Sequence, residues 1–313
     1  MTPYVWRLCC LSLAVLGVVQ LASGLVLRFL APRLVRLAER VDAARAATLM
    51  LTLRWLPAVL GLFVAGCLCV PVYLRLEPLS GDEEELGFAC VTLACFALLS
   101  YLIPVARAAV NVCHSEVRVR ALVRDAEEQG GLYVIREPLP AMALAGLFQS
   151  RVVVSREVVR LLSADQMDAA RRHERAHQES RDNWKRVLLE AAPVDLSGQQ
   201  WRAAWIRFSE WAADDKATEG EPVRSVALAS ALVSVARLGS PESMPQVSML
   251  VSDGRELRAR VERLLTPSER VPQRFPVAVV LAGAVFSAVV VAVLAQQPGC
   301  ASRVHQLLEL LVD

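Results

Sequence analysis

Two histidines and a glutamate stand at a spacing that suits a metal centre. His173, Glu174 and His177 belong to the run His-Glu-Arg-Ala-His, and residues four apart in an α-helix project from the same face. Two imidazoles on one face can bind a single zinc ion, and Glu174 is placed to take a proton from a water molecule on that ion. Zinc lowers the pKa of such a water to about 7. The pattern therefore predicts zinc-dependent hydrolysis of peptide bonds, with Glu174 as general base.

A catalytic zinc ion usually has three protein ligands, so a further donor must come from elsewhere in the chain. Glu210 is the candidate, because its surroundings predict a helix on which Asp214 follows one turn later on the same face. Glu210 would bind the metal and Asp214 would hydrogen-bond a ligating histidine. Spacing alone agrees equally well with Glu210 and Asp214 lying on an ordinary helix face exposed to solvent.

Upstream of the histidine pair, the sequence predicts two short strands and the start of a helix. Leu132–Ile135 and Arg151–Ser155 are rich in β-branched or aromatic residues and are bounded by glycine or proline, as strands are. They are expected to pair with each other across the segment between them. Ser163 and Gln166 form a capping box, which predicts that a helix begins there and continues through both histidines.

Downstream, two more helices are predicted. One covers 200–219, carries Glu210 and ends at Gly220, and the other lies around 255–265, where its apolar residues form one stripe.

The composition indicates a membrane protein. Apolar residues make up 55% of the 313-residue chain, and the mean hydropathy of +0.40 lies above the usual range of globular proteins. The net charge is only +2, and the 34 basic residues are spread out without aromatic residues between them, so direct nucleic-acid binding is not expected. Most of the eight cysteines lie in apolar runs, where a free cysteine packs as a small hydrophobe.

Four segments reach the roughly 20 apolar residues that cross a hydrocarbon core about 30 Å thick. They are 8–27, 55–74, 86–106 and 275–295. The first is too long for the core of a secretory signal and lacks an evident cleavage site, so it is expected to stay as a helix. A soluble protein with four buried apolar helices is disfavoured, because the chain has too few polar residues to cover them.

Charged residues between these segments predict their orientation. The first connection carries Arg28, Arg33, Arg36, Arg40 and Arg45, whereas the second carries Asp82, Glu83, Glu84 and Glu85. By the positive-inside rule the arginine-rich connection is cytoplasmic. The expected organisation is three transmembrane helices in 1–110, a cytoplasmic zinc metallopeptidase domain in 111–273, a fourth transmembrane helix in 274–296 and a short external tail in 297–313.

Several separated segments resemble the BlaR/MecR-type membrane zinc metallopeptidases, peptidase family M56. The segments are Ala145–Phe148 with Arg151–Val154, the run HERAHQESRDNWKR from His173 to Arg186, Glu210 with Asp214, and Leu257–Val261 with Leu264 and Leu265. The predicted order of three spans, a domain and a fourth span is also similar to that family, so the resemblance covers nearly the whole chain. Only 296–313 follow the last predicted span, so a β-lactam sensor domain is not expected.

This resemblance implies an α-helical membrane protein with a cytoplasmic α+β gluzincin-type zinc metalloprotease domain. Zinc would be held by His173, His177 and Glu210, with Asp214 and Asp182 as supporting carboxylates. It also implies an integral multi-pass protein of the bacterial inner membrane that acts in regulated proteolysis or signal transduction. Its expected partners are the lipid bilayer and a protein substrate, either the chain itself or a cytoplasmic repressor of the winged-helix type. Assembly into a homo-oligomer stays open.

Substrate binding is predicted on the second strand. In zinc proteases of this fold type an edge strand beside the active-site helix holds the peptide, and Arg151, Val152, Val153 and Val154 would provide that edge.

Two alternatives differ from this prediction. One is a membrane protease of the type that trims prenylated or misfolded proteins, which also uses His-Glu-x-x-His with a distant glutamate. In that class the spanning helices lie closer to the motif on both sides. The other is a non-catalytic signal transducer whose insert is held together by zinc, although a structural zinc site prefers four protein ligands.

Overall fold

The computed structural model describes residues 2–76, 86–135, 142–194, 198–238, 248–249 and 254–266, with the single positions 196 and 306. These residues form a mostly helical protein with three long apolar helices and a small mixed sheet. The fourth predicted span and the tail behind it lie outside the described residues.

Three long helices are each long and apolar enough to cross a membrane, which supports membrane association. They are α1 (Thr2–Ala38), α2 (Ala43–Val64), which continues through a π turn (Ala65–Cys69) into α3 (Val70–Leu76), and α4 (Phe88–Arg124). The predicted spans 8–27 and 55–74 lie within them, and the predicted span 86–106 begins two residues before α4. α1 and α4 have 37 residues each, so each is about 55 Å long and exceeds the roughly 30 Å of a hydrocarbon core.

The arginine-rich connection is mostly helical, which corrects its prediction as a loop. Arg28, Arg33 and Arg36 lie on the last part of α1, and only residues 39–42 separate α1 from α2. The helix continues through Pro32 because most residues around it are leucine, alanine or arginine, all of which have high helix propensity.

Five strands form one sheet in the order β1-β2-β4-β3-β5. They are β1 (Glu127–Gln129), β2 (Leu132–Ile135), β3 (Met142–Ala145), β4 (Arg151–Ser155) and β5 (Ser248–Met249). The two predicted strands, β2 and β4, are confirmed and pair in parallel, while the other neighbours are antiparallel. Gly130 and Gly131, with φ of 58° and 81°, supply the positive φ angles of the tight turn between β1 and β2.

The edge position predicted for Arg151–Ser155 is wrong. β4 pairs with β2 on one side and with β3 on the other, so it is an inner strand. The reason is the segment between the two predicted strands, which was expected to be a connection but contains β3, folded back against β4. The main-chain groups of Arg151, Val152, Val153 and Val154 are therefore not available to an added peptide.

Within the described residues, six further helices follow β4. They are α5 (Arg156–Leu161), α6 (Ala164–Ser180), α7 (Asp182–Ala191), α8 (Gly198–Thr218), α9 (Pro222–Arg237) and α10 (Gly254–Leu265). The predicted capping box is confirmed, because the Ser163 and Gln166 side chains each accept a hydrogen bond from the other residue's backbone. The two other predicted helices correspond to α8 and α10, whereas α7 and α9 were not predicted.

Both faces of the sheet are covered by helices. On one face, β2, β3 and β4 pack against α5, α6 and α9, with Val154, Ala170, Leu228 and Leu232 fully buried. On the other face, Val153 packs against Val119, near the C-terminal end of α4. Residues of β4 alternate between these two cores because successive strand residues point to opposite faces.

α8 joins the metal-binding part of the chain to the long helices. Its Trp201, Trp205 and Phe208 are buried against α1 and α2, in a core that also contains Met50 and Leu53. Aromatic residues at helical spacing thus serve as packing residues here. As a result, one helix lies against the long helices and also reaches the predicted metal site.

Polar side chains of the long helices hold the turn between α7 and α8. Arg54 of α2 donates hydrogen bonds to the carbonyl oxygens of residues 192 and 193 at 2.9 and 2.8 Å. Gln20 of α1 donates to the carbonyl oxygen of Val194 at 2.8 Å, and the Val194 N–H donates to the backbone carbonyl of Ser100 in α4. The turn at 192–194 is therefore bound by α1, α2 and α4 together.

Candidate metal centre

α6 and α8 bring three predicted ligands together. His173, His177 and Glu210 are all buried, and their ligand atoms lie within 4.8 Å of one another. The two Nε2 atoms are 3.1 Å apart. The carboxylate of Glu210 faces both, with Oε2 at 3.5 Å from His173 Nε2 and Oε1 at 3.6 Å from His177 Nε2. This buried group could bind a metal ion.

Small residues let these elements approach. Ala169 and Ala170 of α6 and Ala217 of α8 are buried in the same core. The helical spacing of four residues then places both histidines on the face of α6 that looks toward Glu210.

A carboxylate lies close to Nδ1 of each histidine ring, with hydrogen-bond geometry at His177. Asp214 Oδ1 lies 3.0 Å from His173 Nδ1, and Asp182 Oδ2 lies 2.8 Å from His177 Nδ1. Lys185 Nζ binds the second oxygen of Asp182 at 3.0 Å. With a carboxylate beside each Nδ1, both histidines present Nε2 to the space in front of Glu210, as metal-ligating histidines do.

Two nitrogen donors and one carboxylate oxygen fit a transition-metal site, and zinc is among the ions that this donor set suits. The fit rests on three convergent donors and on the carboxylates behind the histidines. The residues present are therefore compatible with the metal that the sequence predicts.

Glu174 is fully buried beside the ligands. Neither of its carboxylate oxygens makes a hydrogen bond of normal geometry with the described residues. Burial raises the pKa of Glu174 to about 7, although the neighbouring histidine charges oppose this shift. A carboxyl group with a pKa near neutrality is suited to accept and return a proton.

The electrostatics of the ligands are dominated by burial and by their pairing. Burial favours neutral histidine, but contacts with Asp214 and Glu210 raise the pKa of His173. For His177, burial is outweighed by the charge of Glu210 and by Asp182, so its pKa rises to about 10. Burial also disfavours the carboxylate of Glu210, yet a nearby arginine and the histidines keep its pKa well below the usual value.

That arginine, Arg260 of α10, was not predicted. Its NH1 lies 3.0 Å from Glu210 Oε2, and its Nε and NH2 donate to the two oxygens of Asp214 at 2.9 and 2.7 Å. Burial would raise the pKa of Asp214, but Arg260 and His173 lower it to about 2. A sequence signal exists, because Arg260 lies on the apolar stripe of α10 between Leu257 and Leu264, where a solvated arginine is not expected.

Asn183 is a second residue that was not predicted. It is buried, and its Nδ2 donates to the carbonyl oxygens of Leu144 and Gly146 at 3.3 and 2.9 Å. Because Asn183 follows Asp182 at the start of α7, it ties the end of β3 to the metal-binding helices.

The structure thus brings together the six residues predicted for the centre and its support, namely His173, Glu174, His177, Asp182, Glu210 and Asp214. The residues predicted for substrate binding, Arg151–Val154, lie on the inner strand β4, two strands away from the edge strand β5. No protein-family model, curated protein or solved structure matches the chain.

Proposed function

We propose that this protein is a membrane-embedded zinc endopeptidase of the BlaR/MecR type, with a gluzincin-type domain and its active site on the cytoplasmic side. The observation that supports this proposal is the buried group of His173, His177 and Glu210 with Glu174 beside it. The carboxylates that orient the two histidines add to this support, since such outer partners are typical of metal sites.

Each side chain has a distinct role in the proposed reaction. His173, His177 and Glu210 hold the zinc ion, which when bound supplies a Lewis acid that polarises the scissile carbonyl and acidifies water. Glu174 accepts the proton of the attacking water and passes it to the amide nitrogen of the leaving group. Its raised pKa, about 7, suits both transfers near neutral pH.

The three-membered ligand set favours catalysis over a purely structural zinc. Within the described residues the group contains two histidines and one glutamate, and no cysteine belongs to it. Structural zinc sites are usually closed by four ligands, often thiolates, whereas catalytic sites have three protein ligands and an open position.

For substrate binding we propose the side of β3 that the two-residue edge strand β5 covers, in place of β4. β3 is tied to α7 by Asn183 and pairs antiparallel with β5 at Ala143 and Leu144. An extended peptide adds to a sheet edge in the same manner, with main-chain hydrogen bonds that require no particular sequence. We propose that the substrate displaces β5 and occupies its position.

The proposed biological role is regulated proteolysis. α8 carries Glu210 and is packed on α1 and α2, so a change in the membrane helices has a direct route to the metal group. The protein substrate would be the chain itself or a cytoplasmic repressor of the winged-helix type, and the lipid bilayer is the other partner.

The reaction is tested with the full chain in lipid nanodiscs. Parent protein should contain about one zinc per chain and cleave itself or β-casein, with products identified by mass spectrometry. Glu174→Gln should keep the zinc and lose cleavage, because Glu174 transfers protons without being a ligand. Glu179→Gln is the matched control on α6, since its side chain is 44% exposed and it should change neither readout.

Full cleavage by Glu174→Gln, or parent protein without zinc, contradicts the proposal. Zinc binding without cleavage of either protein favours the non-catalytic transducer.

Substrate binding along β3 is tested by weakening the pairing of β5. The double variant Ser248→Pro and Met249→Pro removes two backbone N–H donors and should raise the initial rate of β-casein cleavage at unchanged zinc content. Glu128→Pro at the opposite edge of the sheet is the control and should leave the rate unchanged. Equal rates for all three proteins would contradict substrate binding along β3.

A further inference from the structure

Arg260 links two carboxylates of the metal centre from a separate helix. Its guanidinium group donates to both oxygens of Asp214 and lies 3.0 Å from Glu210 Oε2. Glu210 and Asp214 are one turn apart on α8, and Arg260 comes from α10, 46 positions beyond Asp214. One side chain therefore holds a predicted ligand and the carboxylate behind another ligand.

The chemistry of this contact explains why an arginine is present. Arg260 is 4% exposed, and Glu210 and Asp214 are buried as well. Two buried carboxylates on one helix face repel each other, and a planar guanidinium can neutralise and hydrogen-bond both in a fixed geometry. A lysine has a single charged nitrogen and cannot provide the same fork.

The contact also defines how the Glu210 carboxylate is turned. Arg260 NH1 forms an ion pair with its Oε2 at 3.0 Å, although the geometry is not that of a hydrogen bond, and Oε2 also faces His173 while Oε1 faces His177. Asp214 is held at both oxygens by Arg260 while it contacts Nδ1 of His173. Without Arg260, the Glu210 carboxylate and the His173 ring would both lose a fixed orientation.

The same two helices provide an internal comparison. Arg263 of α10 makes a two-pronged contact with Asp215 of α8, with N–O distances of 2.6 and 2.5 Å. Asp215 is adjacent to Asp214 in sequence but does not belong to the metal group. Arg263 therefore joins α10 to α8 in a similar way without touching a ligand.

We infer that Arg260 is a positioning residue that sets the metal affinity of the centre by fixing Glu210 and Asp214. This inference rests on the proposed zinc-binding function but not on hydrolysis. It also assigns a role to α10, whose end at Leu265 lies shortly before the fourth predicted span. The metal group is thereby tied to α1 and α2 through α8, and to α10 through Arg260.

The test measures zinc affinity by competition with a chromophoric chelator in the full chain and four variants: Arg260→Gln, Arg260→Lys, Arg263→Gln and His173→Ala. Arg260→Gln should weaken zinc binding about 10- to 100-fold, the range found when outer partners of metal ligands are removed. Arg260→Lys keeps the charge and should recover part of that loss. Arg263→Gln removes a similar interhelical contact, and its zinc affinity should stay within about twofold of the parent's. His173→Ala should not bind zinc, because it lacks a ligand.

The outcomes separate the two proposals. Parent-like zinc affinity in Arg260→Gln overturns the inference, and so does an equal loss in Arg263→Gln, because that would assign the effect to helix packing. If circular dichroism shows that Arg260→Gln does not fold, the zinc affinities of Arg260→Lys and Arg263→Gln are compared instead. Parent-like zinc affinity in Arg260→Lys then overturns the inference. A parent that binds zinc but does not cleave refutes the proposed hydrolysis, while weaker zinc binding by Arg260→Gln still supports the positioning role.

Discussion

Asp182→Asn is the sharpest perturbation of the metal centre, because it changes charge with almost no change in shape. Asp182 is buried and binds His177 Nδ1 at 2.8 Å, while its second oxygen accepts from Lys185 at 3.0 Å. Asparagine keeps one oxygen that can accept from Nδ1. The substitution therefore preserves the acceptor and removes the negative charge that holds the histidine tautomer.

The size of the effect follows from the kind of hydrogen bond that is changed. A bond to a charged group contributes about 1.5–3 kcal/mol and a neutral one about 0.5–1.5 kcal/mol, so the loss is about 1–2 kcal/mol. Since about 1.4 kcal/mol corresponds to a factor of ten in a binding constant, zinc affinity should fall about 5- to 30-fold. Asp182→Ala also removes the acceptor, so its zinc affinity should fall by close to about 100-fold.

Zinc affinity of the full chain, measured by chelator competition, is the appropriate readout. Asp168→Asn is the matched control, because Asp168 lies on α6, pairs with Arg172 at 2.8 Å and has a side chain that is 61% exposed. Its affinity should equal that of the parent. The reasoning is refuted if Asp182→Asn binds zinc as tightly as the parent, or if Asp168→Asn loses as much.

Three further outcomes are expected. The pKa of His177 is raised to about 10, and a histidine ligand must be neutral, so zinc binding near pH 7 should release protons and become tighter as the pH rises. The buffer takes up the released protons, so binding heats that are the same in different buffers would contradict this. Arg54→Met leaves two carbonyls of the α7–α8 turn without their donor and should lower the free energy of unfolding by about 2–4 kcal/mol. Arg45→Met, at an exposed position, should leave it unchanged, and equal unfolding curves of the two variants in detergent would contradict the role of Arg54. A reporter fused after Arg270 should read cytoplasmic and one after Gly299 external, as the arginine-rich connection requires, and the reverse pattern would place the active site outside.

Local signals in the sequence were sufficient for the parts of the fold that depend on neighbouring residues. The capping box at Ser163, the strands β2 and β4 and the helices α6, α8 and α10 follow from short-range periodicity and end signals. His173, Glu174 and His177 could be found from ligand type and helical spacing, whereas spacing left Glu210 and Asp214 open and only the family resemblance pointed to Asp182.

Sequence reasoning was insufficient where distant segments meet. β3 has the sequence Met-Ala-Leu-Ala, which carries no clear strand signal, so the inner position of β4 could not be recognised. Strand order depends on pairing partners across the sheet, and β5 comes from a segment about a hundred residues later. Arg260 has an unusual position on its helix, but its partners on α8 become evident only when the two helices are packed together.

The turn at 192–194 has a consequence for how the protein is made. The three long helices are synthesised before this turn exists, and until it arrives Arg54 and Gln20 lack the carbonyl oxygens that they bind in the finished protein. Each missing partner of a buried polar group costs about 1–3 kcal/mol, so we expect α1, α2 and α4 to be incompletely assembled on their own. The turn between α7 and α8 is then expected to complete the packing of these three helices, as well as to connect them to the helix that carries Glu210.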